Sequence, residues 1–280
     1  MKYVGRVPAP PLDRYIDDLY CMDGVPQHRR MDVPPLPSAH LIANLGEPVR
    51  LFDSLPGVEP TVITDGCFMG VWTRRFRIEF PSPVRVVGVH FKPWGMAPFI
   101  DVPSSDLRDL CVPADAVWGS AWSGVHERLA AAASTEELLD VLDGELRSRL
   151  AETPSRGLDL VHHTASRLET SWGDVSVSDL TGDAGVSGNH LATQFTSHVG
   201  VTPKRVARIY RFARLILNLD ATQPVDWAGL AHEAGYFDQA HLSKEFKDFT
   251  GYTPTGYLEL RRRFPAEQGF PPDSGPMPAK

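Results

Sequence analysis

The chain has 280 residues, 42% of them apolar, and a formal net charge of −7. That length accommodates two domains, each with a core of its own, and that composition belongs to a globular chain rather than a disordered or fibrous one. No apolar run approaches the roughly 20 residues of a membrane span, and the opening MKYVGRVPAPPLDRY holds no stretch suited to a secretory signal. Cys21, Cys67 and Cys111 are odd in number and widely spaced, which suits reduced thiols in a cytoplasmic protein better than a disulfide framework or a zinc site.

In chain order, the first half reads as β-rich. Short strands are predicted at 41–45, 49–53 and 61–64, with Pro- and Gly-rich connections between them. Phe76, Ile78 and Phe80 alternate with Arg77 and Glu79, the period of a half-buried strand. Residues 84–91 (VRVVGVHF) are almost wholly apolar, as in a strand buried on both faces. Leu138, Val141, Leu142, Leu146 and Leu150 then recur at helical spacing behind Thr135, the expected N-cap. This helix suits either a dimer seam or a cover for its own barrel.

Glu152-Thr153-Pro154-Ser155 reads as an interdomain joint. Beyond it, helices are expected at 157–171, 177–184, 188–198, 203–219, 227–234, 238–249 and 254–263, and residues 265–280 as a disordered tail. Trp172 and Trp227 read as packing residues. The resulting fold class is α+β. Residues 1–152 form a β-barrel-like domain with flanking helices, and 156–264 an all-α domain.

The all-α part contains a degenerate repeat. Leu180, Ala184, Gly185, Leu191, Phe195, Gly200, Thr202 and Pro203 return as Leu230, Ala234, Gly235, Leu242, Phe246, Gly251, Thr253 and Pro254. The offset is 50 residues up to the first glycine and 51 beyond it, so one residue is inserted just behind Gly235. Two short helices sharing a small core across a glycine turn make a helix-turn-helix unit. A pair of plain helical hairpins explains one copy equally well, but explains poorly two copies that share the turn, the Leu-x3-Phe spacing and the Gly-x-Thr-Pro stop.

Charge amount does not point to DNA: residues 156–264 carry 12 Lys/Arg and 12 Asp/Glu. Charge placement is compatible with it, since Lys204, Arg205, Arg208, Arg211 and Arg214 fall within eleven residues. Arg205, Arg208 and Arg211 advance three at a time, which suits a phosphate track and a solvated or intramolecular ion-pairing face equally.

Residues 224–257, with Gly235-Tyr236-Phe237-Asp238-Gln239-Ala240-His241-Leu242-Ser243-Lys244-Glu245-Phe246-Lys247 and Gly251-Tyr252-Thr253-Pro254, resemble the signature of AraC/XylS-type transcriptional regulators. The resemblance covers about 156–264. It implies two helix-turn-helix units joined by a long helix with Arg211 at the family's arginine position, and recognition helices in successive major grooves about 34 Å apart. Gln239 and Lys244 fall where the family reads bases, and Lys247 where a phosphate contact is expected. Gln pairs with adenine and Lys donates to guanine. Lys244 replaces the family's usual Arg, weakening planar bidentate recognition. In the first unit Thr193 stands where the family commonly has a base-reading Arg, leaving Asn189, Thr193 and Gln194 as candidate contacts and implying a relaxed half-site. Arg208 is a further candidate DNA contact. His190 and His241 read as structural more readily than as base readers.

The same resemblance, less specific over 35–89, implies a β-barrel domain that senses a small-molecule effector, forms a homodimer, or both, and a regulator that meets RNA polymerase on double-stranded promoter DNA without membrane contact. Candidate pocket residues are His40, Trp72, Phe76, His90, Phe91 and Trp94. An enzyme is not expected, and neither is a metal or cofactor. His28, His40 and His90 are far apart, no HExxH, GxSxG, GxGxxG or GxxxxGK[ST] occurs, and three cysteines cannot supply the four-cysteine zinc site of repair methyltransferases that share such a DNA-binding half. The alternatives are a protein-binding scaffold with degenerate units and, last, a cupin-like enzyme fused to a DNA-binding module.

Overall fold

The computed structural model describes residues 1–150, 157–220, 223–263 and 277–278. The strands are β1 (Lys2–Arg6), β2 (Ile16–Gly24), β3 (Arg30–Val33), β4 (Ala39–Asn44), β5 (Val49–Asp53), β6 (Thr61–Ile63), β7 (Gly66–Met69), β8 (Phe76–Glu79), β9 (Val84–Phe91), β10 (Cys111–Pro113) and β11 (Met277–Pro278). They form two antiparallel sheets, one ordered β1-β2-β9-β4-β7-β10 and the other β11-β3-β8-β5-β6.

Strand β9 shows why the first sheet is buried on both faces. Val84 and Val86 belong to an apolar cluster shared with the second sheet. Val87, Val89 and Phe91 point the other way, into a core shared with helices. This is the period-two alternation of a strand with no solvent face. Helices α1 (Ala114–Trp118), α2 (Ala121–Ala131) and α3 (Thr135–Arg149) follow. Leu138, Leu139, Leu142 and Leu146 of α3 are buried, and the helix packs on β2 and β9, so its apolar stripe covers its own barrel rather than serving a dimer seam. Its N-cap is Ser134, which accepts from the Glu137 N–H, one residue ahead of the Thr135 expected.

The C-terminal helices are α4 (Leu158–Thr170), α5 (Val177–Ala184), α6 (Gly188–Val199), α7 (Pro203–Leu217), α8 (Trp227–Glu233), α9 (Gln239–Thr250) and α10 (Pro254–Arg263). Thr202 caps α7 through the Arg205 N–H at 3.3 Å. Helix α7 buries Val206, Ile209, Tyr210, Phe212, Leu215 and Ile216, each contributing about 1.5–3 kcal/mol for the larger apolar groups. Trp227 packs against Phe246 at 6.1 Å. Trp172 does not pack as expected: it is exposed, in a left-handed turn with φ 53°.

The two halves do not keep separate cores. One buried cluster runs from Leu12, Tyr15 and Phe99 through Leu158 and Val161 to Tyr210 and Phe246. The joint at 152–155 lies outside the described residues. So does the expected tail, apart from Met277–Pro278, which pairs with Met31 and Asp32 of β3.

Candidate nucleic-acid interface and ligand cavity

Each helix-turn-helix unit is built from local sequence. In the first, Ser176 caps α5 and Ser187 caps α6, the latter accepting from the His190 N–H at 3.2 Å. In the second, Asp226 caps α8 and Asp238 caps α9, the latter accepting from the His241 N–H at 2.7 Å. Such side-chain oxygens satisfy amides that the helix itself cannot. The turn glycines Gly185 and Gly235 have φ of 64° and 73°. Leu180, Leu191 and Phe195 are buried in one unit, and Ala234, Leu242 and Phe246 in the other.

The stop glycines carry a second constraint. Gly200 and Gly251 have φ of 88° and 81°. A Cβ on Gly200 would meet the Ser104 carbonyl oxygen at 2.7 Å, and one on Gly251 would meet the Arg75 guanidinium carbon at 2.6 Å. Helices α6 and α9 therefore both end against the N-terminal half. Ser104 Oγ also donates to the His198 carbonyl at 2.8 Å, and Tyr252 Oη to Asp32 Oδ2 at 3.3 Å.

On α9, Gln239, Ala240, His241, Lys244 and Lys247 are all exposed, so the three expected contacts share an open surface. On α6, Asn189 and Thr193 are exposed, with the Thr193 hydroxyl bonded to the Asn189 carbonyl at 2.9 Å. Gln194 differs from expectation. Its amide abuts Gly157, where a Cβ would lie 1.9 Å from Oε1, so it faces the fold. Gln194 is half-buried there, and its counterpart in the repeat, Glu245, is fully buried.

Arg208 also departs from expectation. It is engaged inside the protein, with Nε bonded to Glu245 Oε2 at 2.6 Å, and Glu245 accepts in addition from Tyr236 Oη at 3.0 Å. Arg211 donates to the Gly235 carbonyl at 3.1 Å, and Arg205 donates to the Thr73 carbonyl in the N-terminal half. Of the two arrangements open for this arginine row, the structure shows an internal binding face. Burial first, and Arg208 second, lower the pKa of Arg205.

Between the two sheets lies a cavity of about 150 Å³. His40, Trp72, Phe76 and His90 line it, together with Tyr3, Tyr20, Met31, Ser38 and further apolar residues, and no Lys or Arg is among the lining residues. Phe91 and Trp94 do not line it. Phe91 points to the opposite face of β9 and packs with Phe99 at 5.5 Å, while Trp94 packs with His162 at 5.5 Å. The alternation of β9 could have separated His90 from Phe91 at the outset.

One end of the cavity is polar. His40 and His90 are direct partners across β4 and β9, with ring centroids 5.0 Å apart. Ser38 Oγ lies 3.1 Å from His40 Nε2. His90 Nδ1 meets Asp18 Oδ1 at 2.6 Å, and Asp18 accepts from Tyr3 Oη at 2.5 Å. Burial pushes the Asp18 pKa up, but the His90 hydrogen bond and charge, with Tyr3, outweigh it and leave the carboxyl below its usual range. Burial first, and His90 second, depress His40 to about 3, so it is neutral at physiological pH. The buried indole Nε1 of Trp72 has no hydrogen-bond partner among the described residues. Sequence reasoning missed Asp18, Tyr3 and Ser38, because only strand register brings them to the histidines.

Residues 6–113 match a family described as a domain of unknown function (DUF6597), and residues 180–263 match a helix-turn-helix domain family. No curated protein matches the chain. Among solved structures, the chain is similar to ToxT from Vibrio cholerae. Apo ToxT of strain SCE256 carrying one Lys-to-Ala substitution is 13% identical, over 86% of this chain and 96% of that one, with TM-score 0.45. A 1.65 Å structure of ToxT from the same organism is 11% identical over 92% and 98%, with TM-score 0.45. Wild-type ToxT of strain SCE256 bound to an unsaturated fatty acid is 11% identical over 86% and 93%, with TM-score 0.44. With two capped units and the family match spanning nearly all of both, residues 180–263 of this chain form an AraC-type helix-turn-helix domain.

Proposed function

We propose that the protein is a transcription regulator in which α6 and α9 enter neighbouring major grooves while the N-terminal cavity takes a small effector. The observation that carries the DNA reading is the matched construction of α6 and α9. Each has a capped N-terminus, an exposed first turn and a C-terminus held against the same N-terminal half. The N-terminal residues of a recognition helix are the ones that reach base edges. Gln239 and Lys244 read bases, Lys247 contacts phosphate, and Asn189 with Thr193 makes a weaker first half-site.

The chemistry of the cavity favours an uncharged, mostly apolar effector. An apolar space of this size accommodates about one aromatic ring. A carboxylate entering it would find the neutral His40 imidazole, a His90 already paired with Asp18, and no Lys or Arg, and an unpaired charge in such a place is costly. A single acceptor oxygen would satisfy the unpaired Trp72 donor. Effector binding regulates DNA affinity only by favouring one arrangement of the two halves over another.

Because one core spans both halves, the test uses the full chain. Binding sites selected from a random duplex pool are titrated from low to physiological salt. Specific binding that weakens steeply with salt, and weakens further in Gln239→Ala and Lys244→Ala, is the expected result. A folded protein without sequence preference at any salt would overturn the DNA reading.

A further inference from the structure

The inserted residue of the repeat has a definite place. In the first unit, Gly185 is followed by Val186, which packs on the core, and then by the N-cap Ser187. In the second, Gly235 is followed by buried Tyr236 and then, two residues on, by the N-cap Asp238. Tyr236 thus takes the place of Val186, and Phe237 is the residue without a counterpart.

Phe237 is 92% exposed. An aromatic just ahead of an N-cap commonly packs against the residue at the fourth helical position, closing a hydrophobic staple. Here that position is Leu242, already fully buried, and Phe237 lies in water. Folding gains nothing from the ring, which is set at the same end of α9 as exposed Gln239 and Ala240.

We propose that Phe237 is a specificity-determining residue that reads a thymine methyl group at the edge of the half-site served by α9. The proposal rests on the reading of α9 as a recognition helix. Thymine is the one base that presents a methyl group in the major groove, and an apolar side chain is what recognises it. DNA is favoured over a protein surface because the residues that follow Phe237 in the chain, Asp238, Gln239, Ala240 and His241, are all exposed, with Gln239 able to pair bidentately with adenine. A protein-binding anchor would be expected within a desolvated apolar patch.

The test uses duplexes selected by the full-length protein from a random pool, with each thymine replaced in turn by deoxyuracil, which deletes only the methyl. Wild-type protein is expected to lose about fourfold in affinity at one thymine, the worth of one buried methyl-sized group. Phe237→Ser should bind both duplexes equally, and Phe237→Leu should retain part of the discrimination. A full deoxyuracil penalty in Phe237→Ser would overturn the assignment and leave α9 as a recognition helix. Unchanged DNA binding by Phe237→Ser with lost recruitment of RNA polymerase would overturn it in favour of a protein contact. Selection of no sequence by wild-type protein would remove the reading of α9 itself, and the assignment with it.

Discussion

The carbonyl of Thr73 accepts a hydrogen bond from Arg205 of the long helix α7, while the adjacent Trp72 lines the cavity. One loop therefore touches both the space between the sheets and the helix that joins the two helix-turn-helix units. Arg205 also stacks over Phe249 of α9 at 5.1 Å.

Acetophenone, a neutral ring with one acceptor oxygen, should raise the melting temperature of the full protein more than benzoate at equal concentration. It should also slow hydrogen exchange at 70–76 and at the start of α7. In Arg205→Ala the slowing should stop at 70–76. Stronger stabilisation by benzoate would overturn the uncharged-effector reading, and propagation intact in Arg205→Ala would overturn the route.

Arg208 and Lys247 should separate cleanly. Arg208→Ala leaves Glu245, 2% exposed, without its ion partner, and should cost about 3 kcal/mol. The slope of log affinity against log salt should be unchanged. Lys247→Ala should alter stability by less than about 0.5 kcal/mol and reduce that slope by about one. Chemical denaturation and salt titration read the two effects independently, and a reduced salt slope in Arg208→Ala would restore it as a phosphate contact.

Stability should fall as acid is added through the range where unfolded His40 gains a proton and folded His40 does not. With the folded value near 3 and the unfolded one near 6.5, the unfolded state binds more protons in that window. Stability is then lost at up to about 1.4 kcal/mol per pH unit. Asp17, raised to about 6 chiefly by burial, acts with the opposite sign in an overlapping window, so the effect is read as a difference. His40→Gln should flatten the wild-type profile between about pH 6.5 and 3, and equal slopes in both proteins would refute the assignment.

Gly251→Ala should destabilise by roughly 1–2 kcal/mol for the left-handed conformation alone, and by more for the approach of Arg75. Combining it with Arg75→Ala should recover the second part and not the first. Additive losses in the double variant would show that the guanidinium yields freely.

Much of the C-terminal half was legible because its signals are local. Thr202-Pro203, the Gly-x-Thr-Pro stops and the 3.6-residue periodicity each act within one turn of chain, and the helices lie within two residues of their expected ends. Strands β4, β5, β6, β8 and β9 were likewise marked by alternation or apolar runs, whereas β1, β2, β3, β7, β10 and β11 were not expected. Site assignments failed where long-range packing decides. Arg208 looks like any surface arginine until Glu245, thirty-seven residues on, is brought beside it. Trp94 and Phe91 have the aromatic character of a pocket wall but occupy the other side of the sheet.

The resting of Gly200 on Ser104 and of Gly251 on Arg75 bears on how this molecule can be rebuilt. Its C-terminal half is not a cassette. Grafted onto a foreign N-terminal half, α6 and α9 would lose the two abutments that hold their far ends and would keep only α7 between them. A working chimera would have to carry the 73–75 loop and the turn at Ser104 along with the helices.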